Sequence, residues 1–199
     1  GRASESKKEQ PLDHVEGQGY IHYRKGSLLM YALQDYISED SVNLALRRII
    51  NDWAYREDRY ITSDVYLKEF RKVTPDSLQY IIEDLFETIT LFENRATEAT
   101  YEKVGEEYLV GIDISAIKYR ADSLGNESKI AINDWIDIGV FADNDEKELI
   151  MEQRVKITAA QSTVTLVVDQ EPAKAAIDPS SIPFRFFHKR NNFLFLINI

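Results

Sequence analysis

Residues 19–37, GYIHYRKGSLLMYALQDYI, set Tyr20, His22, Tyr23, Arg24 and Lys25 in front of a strongly apolar run. These side chains offer hydrogen-bond donors, one titratable imidazole and two cations, but they do not make a metal site. His14 lies in DHVEG, without the HExxH spacing that turns two imidazoles and a glutamate toward one zinc. His22 is single in a segment with no other ligand type, where ordinary hydrogen bonds suffice to hold an imidazole. His188 stands in a basic, aromatic tail with no carboxylate near it in sequence, so no triad forms around it. Glu106 and Glu107 read as solvated turn charges rather than an acid/base couple. A phosphate-binding glycine loop, GxSxG and an EF-hand loop are absent from the sequence. Taken from its neighbours alone, Tyr23 is a half-buried tyrosine with one hydrogen bond.

The elements that must position these residues change character along the chain. Leu28, Leu29, Ala32, Leu33, Tyr36 and Ile37 recur at helical spacing, and Val42, Ala45, Leu46, Ile49, Ile50 and Trp53 repeat it after a break at Ser38, Glu39 and Asp40. Asp40 or Ser41 is available to cap the second helix. Ser63 and Asp64 open a shorter helix carrying Tyr66 and Phe70. In TPDSLQYIIEDLFETI, Thr74 reads as the cap and Pro75 as the first helical residue, with Asp76 near the positive helix end. A four-turn stripe then runs from Leu78 to Ile89. Four helices packed in an antiparallel layer are expected.

From Tyr101 onward the period becomes two. Tyr108, Val110, Ile112, Ile114 and Ala116 share one face, and further β-rich runs follow a turn around Gly125 and Asn126. The apolar positions alternate rather than run on, which favours antiparallel sheets with one dry face each. The expected class is α+β: a helical layer over residues 1–95, an antiparallel β-sandwich over 96–179, and an atypical tail over 180–199. That tail, SSIPFRFFHKRNNFLFLINI with its preceding residues, carries no acidic residue after Asp178 and crowds five phenylalanines. It reads as an altered reading frame or vector-derived sequence, against the alternative of a final strand buried on the sandwich.

Composition bounds the function. With 44% hydrophobic residues and a net charge of −10, the chain has the apolar surface for a core and lacks the clustered cations that neutralise phosphates. No nucleic-acid partner is expected. The absence of cysteine removes disulfides, thiolate zinc sites, iron–sulfur clusters and thiol catalysis. No run reaches the roughly 18 apolar residues of a membrane span, and the start, without Met, reads as a cut piece of something longer.

The segment YIHYRKGSLLMYALQDYISEDSVNLALRRII resembles the helical part downstream of the zinc site in gluzincin (alanyl aminopeptidase-like) zinc aminopeptidases, whose motif Tyr-x-Lys-Gly is matched by Tyr23, Lys25 and Gly26. GRASESKKEQPL, TPDSLQYIIEDLFETIT, NDWIDIGVF and AKAAIDP are similar to the end of a bacterial subgroup fused to ABC-transporter permease segments. The resemblance covers about residues 1–179. It implies that Tyr23 is the catalytic tyrosine, donating a hydrogen bond to the oxyanion of the transition state, while Lys25 and Gly26 are structural. A phenol with a reference pKa near 10 suits that role, because it keeps its proton at neutral pH.

The resemblance also implies what is missing. The family's two histidines, its glutamate ligand, its catalytic glutamate and its substrate-amine contacts lie upstream of the matched region. This chain is therefore expected to hold no metal and no cofactor, zinc belonging to the complete enzyme. Its expected partner is the missing upstream zinc-binding segment, with a peptide as substrate of the whole, and the chain alone is expected to be inactive. The parent would be associated with the bacterial inner membrane, with no membrane contact by this chain. The alternative is a non-catalytic protein-interaction module.

Overall fold

The computed structural model describes residues 9–179 and 196–198. They fall into two compact units, Gly1–Thr90 with Arg120–Ser128, and Leu91–Tyr119 with Lys129–Ile199.

The first unit is helical. Helices α1 (Gly26–Ile37), α2 (Glu39–Trp53), α3 (Ser63–Val73) and the short α4 (Gln79–Ile82) pack in succession, α1 on α2, α2 on α3 and α3 on α4. Leu29, Ala32, Leu33 and Ile37 of α1 are buried, as are Val42, Ala45 and Ile49 of α2 and Leu67 and Phe70 of α3. These follow the i, i+3, i+4 stripe of the sequence. Ile50 does not, being 62% exposed one position past the core-facing Ile49. The Phe70 and Phe86 rings stack at 5.9 Å and 28°.

Three local expectations are corrected. Ser38, not Asp40 or Ser41, caps α2: its side chain accepts from the Ser41 N–H at 3.3 Å, and as the single residue between two helices it sits at φ 80°. Thr74 closes α3 instead of opening α4, its hydroxyl donating to the Phe70 carbonyl at 2.8 Å. Gln79 then takes over the junction, donating from Nε2 to the carbonyls of Arg71 and Thr74. Finally, the four-turn stripe to Ile89 breaks. After α4 a π-helical turn covers Glu83–Glu87, and strand begins at Ile89. Asp84, Leu85 and Phe86 are all buried, which no single α-helical stripe accommodates. Arg120 explains the arrangement by pairing with Asp84 at 3.0 Å and donating to Thr88 and Thr90, while the Thr88 hydroxyl donates to the Glu83 carbonyl at 2.7 Å.

The second unit is β. Strand β1 (Ile89–Val104) runs on from the first unit and pairs with β2 (Glu107–Ala121). β2 also pairs with β3 (Glu127–Ile130) and with β6 (Gln161–Val168). The other sheet has the order β5 (Leu149–Ile157), β4 (Asp134–Phe141), β7 (Lys174–Ile177), β8 (Leu196–Asn198). The β2–β6, β4–β5, β4–β7 and β7–β8 pairs are antiparallel. Val110, Ile112 and Ile114 of β2, with Val164 and Leu166 of β6, meet Ile136, Ile138 and Val140 of β4 and Ile177 of β7 in one core. Two sheets with facing dry sides make the sandwich, so the chain is α+β, helices first and antiparallel sheets after. Inside it Lys118 and Asp134, both buried, pair at 2.8 Å. Of the tail, residues 180–195 and 199 lie outside the described residues, His188 among them, and Leu196–Asn198 pairs with β7.

Candidate functional site

Tyr23 stands on a π-helical turn, Tyr20–Lys25, that leads directly into α1. The turn follows from where the apolar and small residues fall. Ile21 and Gly26 are both buried, five positions apart, and the stripe continues through Leu29 and Leu33 at steps of three and four. A regular helix would set Lys25 on that stripe. Widening the turn by one residue puts Gly26 there, with its N–H donating to the Ile21 carbonyl, the i to i−5 bond of a π-turn. Tyr23 is thereby carried outward and is 77% exposed.

Its surroundings are polar and aromatic. The His22 ring meets the Tyr23 ring at 4.4 Å between centroids, tilted by 53°, and His22 and Arg24 are exposed. Lys25 turns back and pairs with the buried Glu9, which ties the root of the turn to the segment before it. Which carboxylate Lys25 would meet was not legible locally, because Glu9 is 16 positions away. Nothing in the backbone of Gly26 requires a glycine. Its φ of −57° is helical, and a Cβ there would meet Leu12 and the Ile21 carbonyl at 3.6 Å, ordinary contact distance.

His14 is exposed and lies apart from this arrangement in its bonding. Its Nδ1 is 2.8 Å from Asp13 Oδ1, and that hydrogen bond, followed by the charge of Asp13, raises its pKa above 6.5. Among the described residues no group of three His, Cys, Asp or Glu side chains could hold a metal ion. A shallow hollow in the first unit, lined by Asp64, Leu67, Lys68, Arg71, Lys72 and Glu87, does not include Tyr23. What the turn can do is present a phenol and an imidazole sideways from a helix head whose backbone is held by a buried stripe and an ion pair.

The fold of the chain has a solved counterpart. The chain resembles part of an aminopeptidase. The crystal structure of Legionella pneumophila aminopeptidase A in complex with aspartic acid matches 79% of this chain with a TM-score of 0.50 and 12% sequence identity. This chain spans 16% of that protein's length. At that identity the likeness is one of fold. No family model matches the chain, and no curated protein matches it in sequence.

Proposed function

We propose that the chain is part of a zinc aminopeptidase in which Tyr23 stabilises the transition state and the helical unit forms one wall of the substrate cleft. The carrying observation is the placement of Tyr23: an exposed phenol on a π-turn, aimed by a helix whose other side is locked into a core. Fold likeness to part of a much longer aminopeptidase supports this reading, as does the Tyr-x-Lys-Gly motif.

The chemistry is that of a neutral donor. When a peptide carbonyl is attacked, negative charge grows on its oxygen, and a fixed O–H stabilises that state more than the ground state. Loss of one such donor costs about 2.7–4 kcal/mol. The metal and its ligands belong to another segment in this reading, and the present chain hydrolyses no peptide by itself. Co-expression with an upstream zinc-bearing segment restores peptidase turnover, and Tyr23→Phe lowers kcat by about 10²- to 10³-fold without lowering the yield of the complex. Restored turnover that ignores Tyr23→Phe removes the tyrosine from the mechanism. The inner-membrane association of the parent rests on the subgroup resemblance alone.

A second reading, a non-catalytic docking module, is favoured by exposed aromatic residues of the helical unit. Tyr31, Tyr55 and Tyr60 are exposed, and the guanidinium groups of Arg56 and Arg59 lie 5.3 and 4.8 Å from the Trp53 ring. Tyr, Trp and Arg are the residues that anchor protein interfaces. The same co-expression separates the two: a complex that forms without peptidase activity supports the module.

A further inference from the structure

A π-turn inserts one residue into a helix, and two regular registers compete with the one at Tyr20–Lys25. Counted forward from the buried Ile21, a regular helix sets Lys25 on the core-facing stripe in place of Gly26. Counted back from the buried Gly26, steps of three and four land on Tyr23 and His22, and Ile21 falls off the stripe. This second register decides where the phenol goes. Taking the extra residue out with α1 held in place turns the segment before it by about 100°, the angle of one helical residue, and carries Tyr23 from solvent toward the core. The exposure of Tyr23 is therefore a property of the register.

Part of what holds that register is Ile21, which is fully buried. The rest comes from outside the turn. Glu9 is 3% exposed, and its carboxylate pairs with the ammonium of Lys25, the last residue of the turn. Three residues on, the Leu12 methyl groups lie 3.6 and 3.7 Å from where a Cβ of Gly26 would stand. The chain before the turn is thus fastened to its last residue and to the residue after it. Between these points the Ile21 and His22 N–H groups donate to the Gln18 carbonyl at 2.9 and 3.2 Å, and the Gly26 N–H closes on Ile21. With both ends fastened, the extra residue slips out only if the pair separates.

We infer that Glu9 is a positioning residue for Tyr23, its ion pair with Lys25 latching the turn in the π-register that presents the phenol. A charged pair suits this task better than an apolar contact. Apolar surfaces slide past one another at little cost, whereas a buried carboxylate left without its ammonium penalises every register that parts them. Glu9 acts through Lys25 and the backbone, not on a substrate. The consequence for catalysis rests on the peptidase reading, while the latch itself does not.

NMR of the 199-residue chain reads the register directly, through the i to i+5 contact between Ile21 and the Gly26 amide. Glu9→Gln keeps the shape and removes the charge, and it is expected to replace that contact with an i to i+4 pattern across residues 21–26. In the complex with an upstream zinc-bearing segment the same variant lowers kcat by about tenfold to 10²-fold with KM little changed, in a complex whose circular dichroism is that of the native one. Glu9→Asp, which keeps a carboxylate on a shorter stem, loses less. The double variant Glu9→Gln with Lys25→Met leaves no buried charge behind, so it reads the register even where Glu9→Gln alone does not fold, with the same expected loss. A π-register that survives both variants overturns the inference, and so does an unchanged kcat in a complex that responds to Tyr23→Phe. Turnover that ignores Tyr23→Phe sinks the peptidase reading instead, and the NMR result then decides the latch alone.

Discussion

At the scale of single residues, the position of Tyr23 depends on its neighbours in the π-turn. Lys25 returns to a buried carboxylate, and removing one partner of such a pair leaves the other charge in a poorly solvated place. Lys25→Ala is expected to cost about 3 kcal/mol, read as a lower midpoint in urea unfolding with an unchanged slope. Gly26 behaves in the opposite sense. It has helical backbone angles and room for a methyl group, so Gly26→Ala should raise stability by about 0.5–1 kcal/mol in the same assay. A loss there would mean that the turn needs glycine after all. The motif itself, Tyr23, Lys25 and Gly26, was legible in the sequence. The π-turn that aims it was written as a five-residue step from Ile21 to Gly26, and that step is visible only once both are known to be buried.

At the scale of elements, stripes and alternation were legible wherever one face alone is buried. α1, α2 and α3 follow their 3.6-residue period and β2 its period of two, and the chain spells both in its apolar residues. The region from Glu83 to Phe92 was not legible. There the chain is apolar on several sides at once, and such a run does not distinguish a helix from a strand. Arg120, distant in sequence, decides the outcome by claiming Asp84, Thr88 and Thr90. Junctions were misassigned for a related reason: several Ser, Thr and Asp residues compete for each cap, and packing selects among them.

Ser38 tests that selection, since it caps α2 yet holds a φ of 80° that only glycine adopts freely. Ser38→Ala should destabilise by about 1 kcal/mol or more, losing the cap and keeping the strain. Ser38→Gly should cost less, because relief at φ offsets the lost oxygen. The β2–β3 hairpin offers a pH test. The Asp122 carboxylate accepts from the Asn126 side chain at 2.7 Å and from the N–H groups of Asn126 and Leu124 at 2.8 and 2.9 Å. These bonds, the Asn126 side chain first, hold its pKa below 3.8. A depressed carboxyl contributes stability above its unfolded value, and that contribution is lost as pH falls through the folded value. Asp122→Asn should therefore flatten the fall of thermal stability between about pH 5 and pH 2, measured as Tm against pH.

At the scale of the whole chain, an acidic, cysteine-free sequence forms a helical unit and a β-sandwich, and its fold matches part of a far longer aminopeptidase. The class was legible from periodicity, because a helical stripe and a two-residue alternation each demand their own kind of layer. The catalytic role proposed for Tyr23 is not of that kind, since one tyrosine has no periodic signature and, on the proposed reading, its chemistry is completed by groups of another segment. The account turns on whether the Tyr23 hydroxyl stabilises charge on a peptide oxygen. The most direct measurement is kcat for a peptide substrate in the complex with an upstream zinc-bearing segment, for the native chain and for Tyr23→Phe. The account predicts turnover that falls by about 10²- to 10³-fold with KM little changed; equal turnover in the two complexes would contradict it.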